Sequence, residues 1–201
     1  SAAATGIPVY MPWLGKKAYD GIMAAYTAAS RKNGKKYIPL IKNATQLHVI
    51  EKGALCGAVL DGSYNLTEAN YKTSLQNLVD RVLITDKDGN QIGVVEDTAA
   101  QQKYGVVQTV YKQEDGKDAQ TEAKALLQTL EQTGSVTGCP GDSRAVSGYA
   151  LIVQETTTGL FGKFYIESDT HTFTDGKHEM ALTLAFSNMM DEKEIENQSQ
   201  G

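Results

Sequence analysis

The sequence predicts an α+β fold dominated by antiparallel sheet, and three observations carry that reading. Short β-prone runs recur at spacings of about 8–15 residues with Gly and polar turns between them. The last run sets Met180, Leu182, Leu184 and Phe186 against Ala181, Thr183 and Ala185, an alternation that marks a strand with one buried face. Only two stretches carry a helical stripe, so a parallel α/β sheet, which needs a helix between each strand pair, is disfavoured against an antiparallel barrel or sandwich.

Residues 1–16 read as an irregular lead-in: there is no initiator Met, and Ser1-Ala2-Ala3-Ala4-Thr5-Gly6 resembles a linker ahead of the fold of a longer product. From Lys17 to Arg31, Ala18, Ile22, Ala25, Tyr26 and Ala29 follow the spacing of one apolar helix face, and Gly34 supplies the stop. Lys36–Ile41 and Gln46–Glu51 then form a hairpin, with Pro39 acceptable on an edge strand. This helix and hairpin make a small αβ unit over 17–60. The three glycines of Gly53–Gly62 mark a joint, with the boundary near Leu60, and 61–190 is the larger β-rich domain. In it, Arg81–Asp86 and Gln91–Glu96 flank Lys87-Asp88-Gly89-Asn90, a hairpin turn by its Asp-Gly. Val106–Tyr111 is a further strand. Ala119, Ala123, Leu126, Leu127 and Leu130 outline a helix over 118–133, capped by Asp115 or Asp118 and ended by Gly134. Strands at Tyr149–Glu155, Gly162–Glu167 and Met180–Phe186 follow, and the acidic 191–201 segment is expected to fray or to form a solvated extension.

The composition narrows the functional classes. With 201 residues, 41% of them hydrophobic and 21% charged, the chain suits a folded domain that needs no metal or disulfide staple. A net charge of −5 and a pI near 5.2 argue against a surface dedicated to phosphates, so sequence-specific nucleic-acid binding is not expected. Cys56 and Cys139 are far apart and lack metal-thiolate spacing. No apolar run approaches the roughly 20 residues that cross a bilayer.

The residues of chemistry do not assemble into a motif. His48, His171 and His178 lack helix-face zinc spacing. Asp169-Thr170-His171 resembles half of an acid–base pair without a nucleophile elbow, and His171 reads as a structural turn residue. Asp86-x-Asp88-x-Asn90 with Asp97 imitates a calcium loop but has Gln91 where glycine is required. Gly138, Gly141 and Gly148 read as turn glycines, and Glu167 with Asp169 is one of many acid pairs that an acidic chain offers. No catalytic, cofactor-binding or metal-ligating residue is assigned, and no cofactor is expected.

Several stretches in order carry a family resemblance: Ala18-Tyr19-Asp20-Gly21-Ile22, Gly34-Lys35-Lys36-Tyr37, Leu47 to Gly53, Ser74 to Val82 and Tyr104 to Gln108. The strongest block joins Gly162-Lys163-Phe164-Tyr165-Ile166 to Ser168-Asp169-Thr170-His171-Thr172-Phe173 and closes on Met180 to Leu184. From about Lys17 to Glu194 the chain resembles the hub proteins at the base of contractile phage tails, the family of the late-control protein D and of PBSX-like prophage tail proteins. The resemblance implies a non-enzymatic structural protein of the virion tail, assembled in the bacterial host cytoplasm, with a tail-tube-like β-barrel and a packed helix. Its implied partners are copies of itself in a trimeric ring, the tail tube and the central spike. A second barrel would lie upstream of Ser1. The competing readings are a cell-wall glycan or peptidoglycan hydrolase domain, which needs two carboxylates in one groove, and a sugar- or peptide-binding module, which needs an exposed aromatic platform.

Overall fold

The structure, a computed structural model, describes residues 2–10 and 17–194. The described chain is α+β, mostly sheet with three helices. Its elements are α1 (Ala18–Asn33), β1 (Tyr37–Lys42), β2 (Gln46–Glu51), β3 (Leu55–Asp61), β4 (Glu68–Ser74), β5 (Arg81–Thr85), β6 (Gln91–Glu96) and α2 (Thr98–Tyr104). They continue with β7 (Gln108–Lys112), α3 (Ala119–Ala125), β8 (Glu131–Pro140), β9 (Ala150–Glu155), β10 (Leu160–Thr174) and β11 (Lys177–Ala185). Contacts divide the chain into one unit of Ser1–Tyr71 with Thr133–Gly201 and a second of Lys72–Gln132. The boundary expected near Leu60 falls inside β3, so Gly53–Gly62 includes a strand of the large sheet as well as turn.

In the first unit, α1 has Asp20 in its first turn and Arg31 and Lys32 in its last, the arrangement that suits the helix dipole. Gly34 ends it at φ +73°, its N–H donating to the Ser30 carbonyl at 2.7 Å. The buried face is Gly21, Met23, Ala24, Thr27, Ala29 and Ser30. That stripe is rotated from the one the apolar spacing predicts, because small side chains allow the closest approach while Tyr26 stays half-buried. Tyr26 donates to the Ala3 carbonyl at 3.0 Å and its ring lies 4.8 Å from that of Tyr37.

The expected first hairpin is present, β1 pairing β2 from Tyr37↔Glu51 to Lys42↔Gln46. Its turn places Asn43 at φ +50° and Ala44 at φ +62°. Asn tolerates the left-handed region, whereas alanine's Cβ is strained there by about 1–2 kcal/mol. Ala44→Gly is therefore expected to stabilise the first unit by about 0.5–1 kcal/mol after the extra entropy of unfolded glycine is subtracted. A rise of a few degrees in its thermal midpoint checks this.

The large sheet has the order β3-β9-β10-β11-β8-β4. β9, β10, β11 and β8 are antiparallel neighbours, while β3 runs parallel to β9. No closed barrel is found among the described residues: β3 and β4 stand at the two ends of the order. The alternation predicted for the last strand is observed, with Met180, Leu182 and Leu184 all buried. They join Leu60, Val136, Leu151, Val153, Leu160 and Ile166 in one apolar core. Gly134 contributes by being small. An added Cβ there would stand 3.1 Å from a Leu160 methyl and 3.3 Å from the Leu184 Cβ.

The second unit pairs β5 with β6 antiparallel and with β7 parallel, α2 making the crossover. The Asp-Gly hairpin turn is as expected, with Gly89 at φ +90° and the Asp86 carboxylate accepting from the N–H groups of Asp88 and Asn90. Val82, Ile84 and Ala123 form its buried centre, packed by Val79, Val95, Tyr111, Ala119 and Leu127.

Two expectations are corrected, and one helix was not foreseen. The helix expected over 118–133 covers only Ala119–Ala125; Asp118 caps it by accepting from the Thr121 N–H at 2.7 Å. Leu127 turns into the second unit's core, and Gln128 makes a two-way backbone bridge to Val79, which the helix continuing would forbid. The helix α2 had no apolar stripe to reveal it, since none of its residues is buried; Asp97, the last position of the failed calcium-loop match, is its cap. The acidic segment was expected to fray from Asp191, yet 191–194 docks on the first unit: Asp191 accepts from Tyr19 at 2.9 Å, Glu192 pairs with Lys36 at 3.0 Å and Glu194 pairs with Arg31. The Lys193 N–H also donates to buried Thr27 Oγ1. Residues 195–201 lie outside the described residues, as do 11–16 of the lead-in.

Candidate functional site

Two features of the first unit bring reactive side chains together, and both are built on the segment between β8 and β9. β10 pairs β9 only as far as Tyr165; its second half pairs β11, which β8 pairs in turn from Glu179 on, so only the turn end of this hairpin is two-stranded. Asp169, His171 and Phe173 point to one face of the hairpin by the two-residue period of a strand. Opposite them in register are Leu182, Met180 and His178.

Asp169 accepts from the Ser147 N–H at 2.6 Å and from the Ser147 hydroxyl. His171 Nε2 lies 3.1 Å from the Ala145 carbonyl, an acceptor, so that nitrogen carries a hydrogen. In the neutral ring Nδ1 then accepts from His178 Nε2 at 2.9 Å. The His178 ring in turn stacks on Phe173, centroids 4.1 Å apart and planes 17° from parallel. Gly141 makes room for this: a Cβ there would meet ring carbons of His178 at 2.1 Å. The arrangement fixes the two rings through one hydrogen bond between imidazoles. It does not activate a nucleophile, because the Ser147 hydroxyl points to a carboxylate and not to a histidine.

The same segment also lines a hollow of about 420 Å³ walled by Leu55, Cys56, Val146 and Tyr149, with Lys42, Ser143 and Arg144 completing it. Arg144 is gripped by Asp142 through Nε at 3.0 Å and Nη2 at 2.6 Å, which holds the Asp142 carboxyl below its ordinary range. Cys56 is partly accessible, whereas Cys139 is buried and its thiol is pushed up to about 11 by desolvation.

The other residues weighed in the sequence stay apart. His48 lies in β2 opposite Leu40. Glu167 neighbours Lys52, whose ammonium is pushed down by burial despite that carboxylate. Asp86 and Asp88 serve the β5–β6 turn. No group of three or more metal-ligating side chains occurs among the described residues, and no helix is long and apolar enough to cross a membrane. His171 with His178 was invisible as a pair because the turn at Asp175-Gly176, not a helical spacing, brings them together.

The sheet edges are the remaining candidates. β3 is blunted by Asn65, whose amide donates to the Val59 carbonyl at 3.0 Å and accepts from the Asp61 N–H at 2.7 Å, imitating a partner strand. β4 is mostly exposed, and on the second unit's sheet Ile92, Val94 and Val110 are exposed apolar residues on its edge strands.

The chain is 26% identical over 145 residues to the phage-like element PBSX protein XkdQ of Bacillus subtilis (strain 168), covering 67% of this chain and 44% of that protein. Its fold is similar to the 43 kDa tail protein of prophage MuSo2 from Shewanella oneidensis, with TM-score 0.56 and 13% identity over 86% of this chain and 54% of that one. A tail protein from Neisseria meningitidis MC58 matches with TM-score 0.48 and 14% identity over 81% of this chain and 54% of that one. The chain thus spans about half the length of these relatives. A family profile described as YQBQ-like matches residues 3–185, and the chain belongs to that family of phage and prophage tail proteins.

Proposed function

We propose that the chain is part of a structural component of a contractile phage or prophage tail, the baseplate hub of the late-control protein D kind that joins the tail tube to the central spike. The match to the YQBQ-like family over residues 3–185 carries the reading. In it the open sheet belongs to a tube-like barrel that is completed on assembly, and β4, with its long exposed edge, is where pairing continues. Its partners are copies of itself in a trimeric ring, tube and spike proteins, within a virion tail assembled in the host cytoplasm. Acidic side chains would line the channel and keep passing DNA from adhering, since carboxylates repel phosphates.

The role is structural and not enzymatic. Immunogold labelling of particles from the source element tests the assignment. Label is expected at the junction of tube and baseplate, and particles that lack the gene should have tubes without an attached baseplate. Label along the sheath or fibres, or none on particles, overturns it.

A further inference from the structure

We propose that the free chain pairs with a second copy of itself through β4, the two strands running antiparallel about a two-fold axis at Asn70. The inference goes beyond the assembly reading above, since it concerns the chain before it enters a particle, and it gives the open edge of the large sheet one partner. The sheet ends on β3 at one side and on β4 at the other. Asn65 occupies backbone groups of β3, whereas β4 is exposed at Glu68 and from Asn70 to Thr73. An edge strand left open is a template for another chain. With β3 blunted, head-to-tail addition of β4 to β3 is disfavoured, and β4 against β4 is the pairing that closes after two copies.

The side chains of β4 specify the register. By the two-residue period of a strand, Glu68, Asn70 and Lys72 share one face. Ala69 and Tyr71 share the other, where Ala69 packs on the core and the Tyr71 ring lies 5.2 Å from that of Phe186. The Glu68 carboxylate meets a neutral group, accepting from the Thr137 hydroxyl at 3.2 Å, and Lys72 has no ion-pair partner among the described residues. In the antiparallel register that sets Asn70 opposite its own copy, Glu68 of each chain faces Lys72 of the other, so an ion pair forms on each side of the axis. Ala69 then faces Tyr71, a small residue beside a ring that is 37% exposed and becomes covered. Every other antiparallel register with matching faces breaks the match of Glu68 to Lys72, and a parallel in-register pairing sets like charges side by side. The pairing satisfies backbone groups that β4 leaves to water and hides the edge until a tail component displaces the copy; the same donors and acceptors serve both.

A pairing of two strands of 7 residues buries less than the roughly 1,600 Å² of a standard interface, so the dimer is expected to form at about 10–100 µM chain. Sedimentation velocity on the full chain is expected to show the mass rise from 21.7 kDa towards twice that value across this range. Glu68→Lys or Lys72→Glu turns both ion pairs into like-charge contacts and should weaken association about tenfold or more, and the double reversal should restore it to within about threefold. Restoration separates loss of the contact from misfolding, and both residues are exposed. In a Cys56→Ser background, where buried Cys139 stays out of reaction, Asn70→Cys is expected to give a disulfide-linked dimer on mild oxidation. The two Cα atoms at the axis would lie about 4.5–5.5 Å apart, within reach of a disulfide. A monomer throughout the range, single reversals without effect, a double reversal that stays monomeric, or no 70–70 link overturns the pairing. Gold label at the tube–baseplate junction with a monomer in solution removes the dimer alone, whereas a dimer in solution with no label on particles removes the hub reading alone.

Discussion

Replacing Leu160 by alanine is expected to cost the first unit about 2–5 kcal/mol, the range for a leucine removed from a closed core. Leu160 is fully buried and reaches the space over Gly134 and beside Leu184. The same geometry predicts a non-additive pair. Gly134→Ala alone puts a Cβ 3.1 Å from the Leu160 methyl and 3.3 Å from the Leu184 Cβ, an overpacking cost of about 1–3 kcal/mol. In the Leu160→Ala background the obstructing methyl is gone and the new Cβ fills part of the cavity. The double variant should therefore be more stable than the sum of the two losses by about 1 kcal/mol or more. Urea unfolding of the four proteins measures this, and strict additivity would show that the strands separate to accommodate either change.

Asp80→Ala is expected to open the second unit selectively. Asp80 is 1% exposed, and its Oδ1 accepts from the Val107 N–H at 2.9 Å, fastening the start of β7 beside β5. Its backbone also ties in the chain around it: the carbonyl accepts from the Asp97 N–H at 2.8 Å, and the N–H donates to the Val107 carbonyl at 3.0 Å. The side chain faces opposed effects, because Oδ2 is buried with no hydrogen-bond partner among the described residues. Removing the carboxylate relieves that desolvation, but it leaves the Val107 N–H unsatisfied and loses a charge-assisted bond worth about 1.5–3 kcal/mol. The lost bond and the cavity prevail, so a net loss of about 2 kcal/mol is expected. Asp80→Asn keeps the acceptor oxygen and should lose clearly less. Amide exchange at β7 and α2 should accelerate in the alanine variant while the first unit's core strands stay protected; equal protection in both variants would show that the carboxylate does not fasten β7.

Local pattern determined the elements whose neighbours lie close in sequence. The hairpins at 37–51 and 81–96 follow from turn residues that tolerate or favour positive φ, α1 from its stripe and its glycine stop, and β11 from strict alternation. The order of those elements also sufficed for the tail-family resemblance. What only the tertiary structure decided involves partners far apart in the chain. β3 is a strand because β9 accepts it across about ninety residues, a pairing that glycines at 53, 57 and 62 conceal. The second helix stripe stops at Ala125 because Gln128 finds Val79. His171 meets His178 through a turn whose register no spacing rule discloses, and the acidic 191–194 segment is held because Tyr19, Arg31 and Lys36 are presented to it. Propensity and periodicity act over a few residues, whereas burial and hydrogen-bond satisfaction act on whatever the folded chain brings together. For that reason the run of rings from His171 through His178 to Phe173 belongs to the structure alone.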